Sequence, residues 1–160
     1  MGYSMTKKYG NYVAVLILTV AFLSSCNPVF PDYELDNFWK LNQIEYKNGV
    51  DFVGNECTVV RADSIYFGFA RSLIQIQNLS DTAHSLEHGF SKFGQILYTG
   101  DSLRIDYSVY TDKDTNMPLL LKSLRLCGVE NYVTTYSVDK LDNKELILSN
   151  EKVILNFKRW

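Results

Sequence analysis

The chain has 160 residues with a formal net charge of −2, and 14% of its residues are aromatic. This length suits one domain with a single core, and the acidic balance argues against nucleic acid or anionic lipid as the main partner. Eleven Tyr and nine Phe against three Pro are typical of a strand-rich protein and exclude a long disordered tail, because flat side chains fit a pleated, half-buried surface.

The N-terminal segment has the layout of a lipoprotein signal peptide. Basic residues Lys7 and Lys8 precede an apolar run over residues 13–22, and Leu23-Ser24-Ser25-Cys26 follows it directly. Two small residues before a cysteine are typical of a bacterial lipobox, whose cleavage leaves that cysteine as the lipid-bearing first residue. The apolar run is about ten residues long, which is too short to cross a bilayer core of roughly 30 Å as a stable helix.

These features divide the chain into three predicted parts. Residues 1–25 are the signal peptide, residues 26–36 are a lipidated tether with two prolines and no periodicity, and residues 37–160 are one folded domain. Lipid on Cys26 would hold the mature protein to a membrane through buried acyl chains. Removal of the two leader lysines leaves 14 basic against 18 acidic residues, a mature net charge of −4.

The domain is predicted to be a series of short antiparallel strands. In the first strand, Trp39 and Leu41 share one parity whereas Ile44 and Tyr46 have the other, which predicts a bulge near residues 42–43. The predicted strands span residues 38–46, 65–69, 73–79, 89–98, 102–110, 132–138, 145–148 and 153–158.

Three connections carry further signals. Lys-Asn-Gly over residues 47–49 predicts a tight turn, and residues 57–60 could form either a short strand or one helical turn, an alternative that stays open. Thr-Gly-Asp over residues 99–101 predicts a hairpin. In the second strand of this hairpin, residues 102–110, the core face is expected to carry Leu103, Ile105, Tyr107 and Val109.

Residues 118–127 break the strand rhythm and predict one short helix. Pro118 suits a first helical turn, and Gly128 is placed to cap the C-terminal end. Eight or nine strands in order with one helix favour an all-β fold, an antiparallel up-and-down barrel of about eight strands, because closure removes the edge strands.

Residues 37–41 (Asn-Phe-Trp-Lys-Leu), the strand series and the ending over residues 153–159 resemble a lipocalin-like domain, in particular the small lipocalin-like lipoproteins of unknown function common in Bacteroidetes. In lipocalins a Gly-x-Trp opens the first strand, and an arginine near the last strand packs over the Trp ring. Trp39 and Arg159 match these positions, whereas Asn37 stands in place of the glycine. The resemblance implies that Trp39 and Arg159 close one end of the barrel through a contact of about 0.5–2 kcal/mol. A plain core tryptophan and a solvated arginine are the alternative.

The resemblance also bears on location. Asn27-Pro28 follows Cys26, rather than the acidic run that directs Bacteroidetes lipoproteins to the cell surface. We therefore expect the protein in the cell envelope, lipid-anchored to the outer membrane and facing the periplasm, with the cell surface as the alternative.

Cys57 and Cys127 are the other cysteines of the chain. An exported compartment permits a disulfide between them, whereas two free thiols packed as small hydrophobes are the alternative. The sequence does not show whether their Cα atoms approach within the roughly 7 Å that a disulfide needs.

The string His-Ser-Leu-Glu-His over residues 84–88 matches the H-x-x-E-H of inverted zinc peptidases, in which two histidines bind zinc and the glutamate activates its water. The context differs, because Ser80-Asp81 and Gly89 leave at most two helical turns between strands. We therefore expect an ordinary loop at the barrel mouth, with adventitious surface metal binding as the alternative, and we predict no metal site and no cofactor.

Two functional hypotheses remain, and neither is an enzyme. In the first, the barrel holds a small apolar or amphipathic ligand in its interior, since an eight-stranded barrel is about the smallest that can hold one. In the second, side chains fill the barrel, and the loops bind an envelope protein or glycan. An open apolar interior favours the first hypothesis and a packed interior favours the second.

Overall fold

The computed structural model describes residues 34–79, 90–109 and 116–160, which belong to one compact unit. The predicted signal peptide, Cys26 and most of the tether lie outside the described residues, and so does the 84–88 string. Over the described ranges, no helix is both long and apolar enough to cross a membrane.

Antiparallel strands and one helix make up the described part of the chain. In chain order they are β1 (Phe38–Tyr46), β2 (Val59–Arg61), β3 (Ile65–Ala70), β4 (Leu73–Asn78), β5 (Phe90–Tyr98), β6 (Ser102–Asp106), α1 (Met117–Leu126), β7 (Val133–Leu141), β8 (Glu145–Ser149) and β9 (Val153–Arg159).

Eight of these strands close into a barrel. From β3 to β9 each strand pairs with its neighbour in sequence, and β1 pairs with β3 on one side and with β9 on the other. The short β2 pairs with the second half of β1, beyond the point where β3 leaves it. The prediction of an all-β up-and-down barrel of about eight strands is confirmed.

The first strand has the predicted irregularity. The register between β1 and β9 shifts between Leu41 and Gln43, so both Trp39 and Ile44 face the core despite their opposite parity. The turn after β1 is also as predicted: Gly49 has a φ of 69° and its N–H donates to the Tyr46 carbonyl at 3.1 Å. The open alternative over residues 57–60 resolves as a strand, because β2 begins at Val59.

The helix forms where the break in the strand rhythm predicts it. The Asn116 side chain accepts from the Leu119 N–H at 3.2 Å and caps the first turn. Pro118 has no backbone N–H, but the N–H groups of the first turn have no partner within the helix, so no helical hydrogen bond is lost. Leu120 and Leu124 are buried. Gly128 adopts a φ of 80° and its N–H donates to the Arg125 carbonyl at 3.1 Å, which confirms the predicted cap.

One strand ends earlier than predicted. The expected strand over residues 102–110 stops at Asp106, and Val109 is 48% exposed rather than part of the core face. The cause is local: the Asp106 carboxylate accepts from the N–H and the hydroxyl of Ser108, at 3.0 and 2.6 Å. Such a side-chain turn competes with ladder pairing and directs the chain away from the sheet.

The inward-facing side chains form a continuous core with two distinct ends. We call the end at which β1 begins and β9 finishes the tryptophan end, and the end at which β1 finishes beneath α1 the tyrosine end. The largest fully buried side chains are Trp39, Tyr107, Tyr136, Phe67, Phe157, Leu41, Ile44, Ile74, Ile76, Leu103, Ile105 and Leu124.

Candidate functional site

The tryptophan end is closed by hydrocarbon packing. Trp39 is fully buried, and its indole N–H donates to the Leu35 carbonyl at 3.1 Å. The rings of Phe67 and Phe157 meet edge to face with their centroids 4.9 Å apart. Leu35 is also buried, so the chain entering the domain covers this end of the barrel.

Trp39 and Arg159 lie directly opposite each other on β1 and β9. Directly opposed residues of an antiparallel pair share one face of the sheet, so the register brings the two predicted closure residues together. Arg159 is exposed, and its guanidinium lies 3.5 Å from the Asn143 carbonyl. The stacking of this guanidinium over the indole stays a prediction.

The tyrosine end brings phenols and a thiol together under α1. The Tyr136 hydroxyl donates to the Gly128 carbonyl at 3.0 Å, at the point where the chain leaves the helix. Cys127 is buried beside it, and a Tyr46–Phe52 ring pair at 5.4 Å adds a further aromatic contact. The Tyr107 hydroxyl is buried and has no hydrogen-bond partner among the described residues.

Burial sets the protonation of this cluster. It raises the pKa of Tyr46 to about 12, with smaller contributions from Asp51 and two nearby thiols. It raises the pKa of Cys127 to about 12 and the pKa values of Tyr107 and Tyr136 well above their usual range. Cys127 is therefore a neutral thiol at neutral pH, which makes it a poor nucleophile.

Packing at the tyrosine end is tight. A Cβ atom placed on Gly128 would lie 2.5 Å from the Leu155 Cδ2 atom and 3.5 Å from Ile44, so the backbone after α1 rests directly on inward-facing side chains of β1 and β9. Leu120 and Leu124 of α1 join the same core. The interior that the sequence could leave open is occupied at both ends.

Both remaining cysteines are free thiols. Cys127 is buried, whereas Cys57 is half-buried and its thiol lies 3.4 Å from the Val59 carbonyl. The disulfide that was one of the two alternatives is not formed in this structure.

Outside the barrel, a polar depression of about 450 Å³ follows the outward faces of β6 to β8; we call it the serine groove. Ser102, Ser137 and Ser149 are successive partners in the ladder, so three hydroxyl side chains form one row across three strands. The Lys47 ammonium donates to the Asn150 carbonyl at 2.6 Å. The lining residues are Lys47, Ser102, Thr135, Tyr136, Ser137, Ser149, Asn150 and Glu151.

A second polar depression of about 330 Å³ lies at the β1 bulge; we call it the bulge groove. The bulge and the outward faces of β8 and β9 supply its walls, with more amide and carboxylate groups than hydroxyls. Its lining residues are Asn42, Gln43, Glu45, Glu145, Ile147, Asn156, Phe157 and Lys158.

Metal and cofactor chemistry gains no support from the described geometry. Across the three described ranges, no group of three or more His, Cys, Asp or Glu side chains could hold a metal ion.

Sequence reasoning missed the serine groove, because the serines on β6, β7 and β8 become neighbours in one row only through the pairing register.

Comparisons with known proteins bear on the fold. A family model described as a lipocalin-like domain matches residues 21–160. No curated protein matches the chain. A lipocalin-like protein from Bacteroides uniformis ATCC 8492 is 20% identical with a TM-score of 0.56, and the match covers 79% of this chain and 99% of that one. An uncharacterized protein from Bacteroides eggerthii DSM 20697 is 17% identical with a TM-score of 0.55, with 78% and 98% covered.

Proposed function

Because the chain belongs to the lipocalin-like domain family and its barrel interior is filled, we propose that it is a non-enzymatic, lipid-anchored envelope protein that binds its partner on the outside of the barrel. A barrel fold hosts many functions, so the argument rests on the surfaces of this particular barrel.

The packed interior is the observation that carries the proposal. An eight-stranded barrel has an interior just wide enough either to be filled by side chains or to hold one small ligand. Here Trp39, Phe67 and Phe157 occupy the tryptophan end, and Tyr107 and Tyr136 occupy the tyrosine end. Among the two functional hypotheses, this packing favours the interaction module over a carrier of an apolar ligand.

Of the two grooves, the serine groove fits a partner better, and its chemistry favours a glycan. Its volume of about 450 Å³ falls within the roughly 300–1,000 Å³ typical of small-ligand sites. Hydroxyl and amide side chains both donate and accept hydrogen bonds, as sugar hydroxyls do. Protein interfaces instead concentrate their binding energy in exposed Trp, Tyr and Arg anchors, and Tyr136, the one such residue lining the groove, is buried.

The lipid on Cys26 completes the proposal. The lipobox supports a lipid anchor, and Asn27-Pro28 in place of an acidic run favours the periplasmic face of the outer membrane, where envelope glycans lie within reach. Two or three acyl chains make such an attachment effectively permanent.

The test is calorimetric titration of the mature protein with short oligosaccharides and muropeptides released from a bacterial envelope. We expect saturable binding that Ser137→Trp abolishes, because an indole at this outward position fills the groove. Asn156→Trp places the same side chain in the bulge groove and is expected to leave binding unchanged. Binding that survives Ser137→Trp would exclude the serine groove as the site.

A second candidate, an amphipathic ligand inside the barrel, is favoured by one observation: the buried Tyr107 hydroxyl without a partner. A polar ligand atom beside it would supply the missing hydrogen bond. Such a ligand requires movement of α1, because Gly128 packs directly on Leu155. Native mass spectrometry of protein purified gently from the envelope separates the candidates: a retained adduct, weakened by Tyr107→Phe, favours the interior ligand, and a bare mass favours the filled barrel.

A further inference from the structure

The outer face of β1, β3, β4 and β5 carries a band of exposed apolar side chains beside the tryptophan end. Outward-facing positions of a sheet in contact with water are usually polar. Here aromatic and leucine side chains occupy several of them, and Trp160 follows directly after β9; Tyr66 is half-buried and the others are exposed. We call this set the outer apolar patch: Phe38, Tyr66, Leu73, Phe93, Leu97 and Trp160.

The register makes these residues neighbours. Phe38 lies opposite Gly68, Gly68 opposite Gln75, and Gln75 opposite Phe93, so one row crosses four strands. Gly68 lets the Phe38 ring lie over the sheet, since a Cβ there would come within 2.6 Å of that ring.

Two further contacts extend the row. At one side, the Trp160 ring meets the Tyr66 ring edge to face at 5.4 Å, and the backbone N–H of Trp160 donates to the Phe38 carbonyl at 3.1 Å. At the other side, Leu73 lies opposite Gln95, between Phe93 and Leu97 along β5. Trp160 is 77% exposed and Leu97 60% exposed. Contiguous exposed apolar surface of this kind marks a site of contact with a protein or a membrane.

The chain outside the described residues indicates which of these covers the patch. The domain is entered at the tryptophan end, where the Asp36 carboxylate accepts from the Arg71 N–H at 2.7 Å and the Asn37 carbonyl from the Phe69 N–H at 2.8 Å. Glu34 follows Cys26 by eight positions in the chain. Since an extended chain covers at most about 3.3–3.6 Å per residue, the lipid lies within roughly 28 Å of this end.

We propose that the outer apolar patch rests on the bilayer to which Cys26 is anchored, with the Trp160 indole at the headgroup level. The inference rests on the proposed lipid anchor and adds an orientation to it. Trp and Tyr favour the membrane–water interface, because each combines an apolar ring with one polar group. The mature domain is acidic, so apolar side chains rather than charge supply the contact. With the patch on the membrane, the loops of the tyrosine end point away from it.

The two tryptophans make the inference testable by fluorescence. Trp39 is fully buried and Trp160 is exposed, so the emission lost in Trp160→Phe belongs to the surface indole. The lipidated full-length mature protein is reconstituted in phosphatidylethanolamine–phosphatidylglycerol vesicles whose acyl chains carry bromine either near the headgroup or near the terminal methyl. We expect most of the Trp160 emission to be quenched, more strongly by bromine near the headgroup, with little quenching of the emission that remains in Trp160→Phe.

A matched control places an indole at the other end. Val53 lies in the loop after β1, at the tyrosine end, and is 44% exposed. In the double variant Trp160→Phe/Val53→Trp, we expect the new indole to stay unquenched. Equal quenching of both indoles, or quenching of the position 53 indole alone, would overturn the orientation.

The same sample separates this inference from the anchor. The intact mass of the protein and flotation with the vesicles report lipid on Cys26. A lipidated protein that floats but keeps unquenched Trp160 emission retains the anchor and overturns the docked patch. A protein without lipid overturns the anchor and, with it, the docked patch.

Discussion

The two ends of the barrel are closed by different chemistry. At the tryptophan end, the Phe67 and Phe157 rings pack against each other, and the indole N–H of Trp39 donates to the Leu35 carbonyl at 3.1 Å. At the tyrosine end, three phenols and the Cys127 thiol are buried beneath α1. Of those phenols, Tyr136 is hydrogen-bonded to Gly128, whereas Tyr107 has no partner in the described residues.

The two ends of the core are therefore stabilised in different ways, one by hydrocarbon packing alone and the other by buried groups that can ionise. Hydrocarbon packing depends on volume and is insensitive to pH, so the tryptophan end should respond mainly to side-chain truncation. Buried phenols and thiols pack equally well but must stay neutral, because a buried charge without a partner is costly. The tyrosine end should therefore respond to protonation as well as to volume.

Alkaline pH should destabilise the protein through the tyrosine end, and this is the largest loss of stability that we predict. The pKa values of Tyr46, Tyr107, Tyr136 and Cys127 are raised in the folded state. Above the unfolded pKa the unfolded chain releases these protons while the folded chain keeps them, so stability is intact below that value and falls as pH rises toward the folded pKa. Each group lowers the free energy of unfolding by about 1.4 kcal/mol per pH unit in its window.

For Cys127 this window runs from 9.0 to about 12, and for Tyr46 it runs from 10.0 to about 12. The measurement is urea unfolding at about pH 8 and about pH 11, where the four groups together should cost several kcal/mol. Tyr136→Phe should reduce the pH-dependent loss by one group's share. An unfolding midpoint equal at both pH values would contradict the account.

Truncation of a buried side chain should destabilise the protein at the tryptophan end. Trp39→Ala removes a fully buried indole and should lower the free energy of unfolding by about 3–5 kcal/mol, independently of pH between neutral and alkaline conditions. Trp160→Ala is the matched control, expected to change stability by about 0.5 kcal/mol or less because its indole is exposed. Equal losses from the two substitutions in urea unfolding would show that Trp39 does not anchor the core.

A methyl group at Gly128 should strain the seam between α1 and the barrel. Gly128→Ala combines an unfavourable positive φ with a Cβ 2.5 Å from Leu155, so we expect a loss of about 2–4 kcal/mol. Gly100→Ala shares the positive φ, 91°, but its Cβ would meet nothing within 4 Å, so about 1–2 kcal/mol is expected from thermal or urea unfolding. The excess at Gly128 measures the packing of α1 on the core, and no excess would mean that this seam is loose.

Much of the fold could be predicted from the sequence because its signals are local. The alternation of apolar and polar side chains predicted the strands, and the parity change between Leu41 and Ile44 predicted the bulge. Pro118 and Gly128 indicated the two ends of the helix. The end of β6 could not be predicted in this way, because it depends on hydrogen bonds from Ser108 to the Asp106 side chain rather than on hydrophobic period.

The surfaces were less predictable than the strands. The outward positions of Phe93 and Leu97 can be derived from parity, but their proximity to Leu73 depends on the register between β4 and β5. The serine row has the same origin. Register follows from how all the strands close together, so a sequence read strand by strand gives the faces of a barrel but not the neighbours on them.

A pair of matched hydroxyl deletions gives the smallest effects and the sharpest comparison within the tyrosine end. Tyr136→Phe leaves the buried Gly128 carbonyl without its donor and should cost about 1–2 kcal/mol in urea unfolding. Tyr107→Phe removes a hydroxyl that has no partner in the described residues, so stability should stay level or rise by up to about 1 kcal/mol. A loss at Tyr107 as large as that at Tyr136 would mean that a bound molecule hydrogen-bonds the Tyr107 hydroxyl in solution. That result would shift the proposal from the outer groove to a ligand inside the barrel.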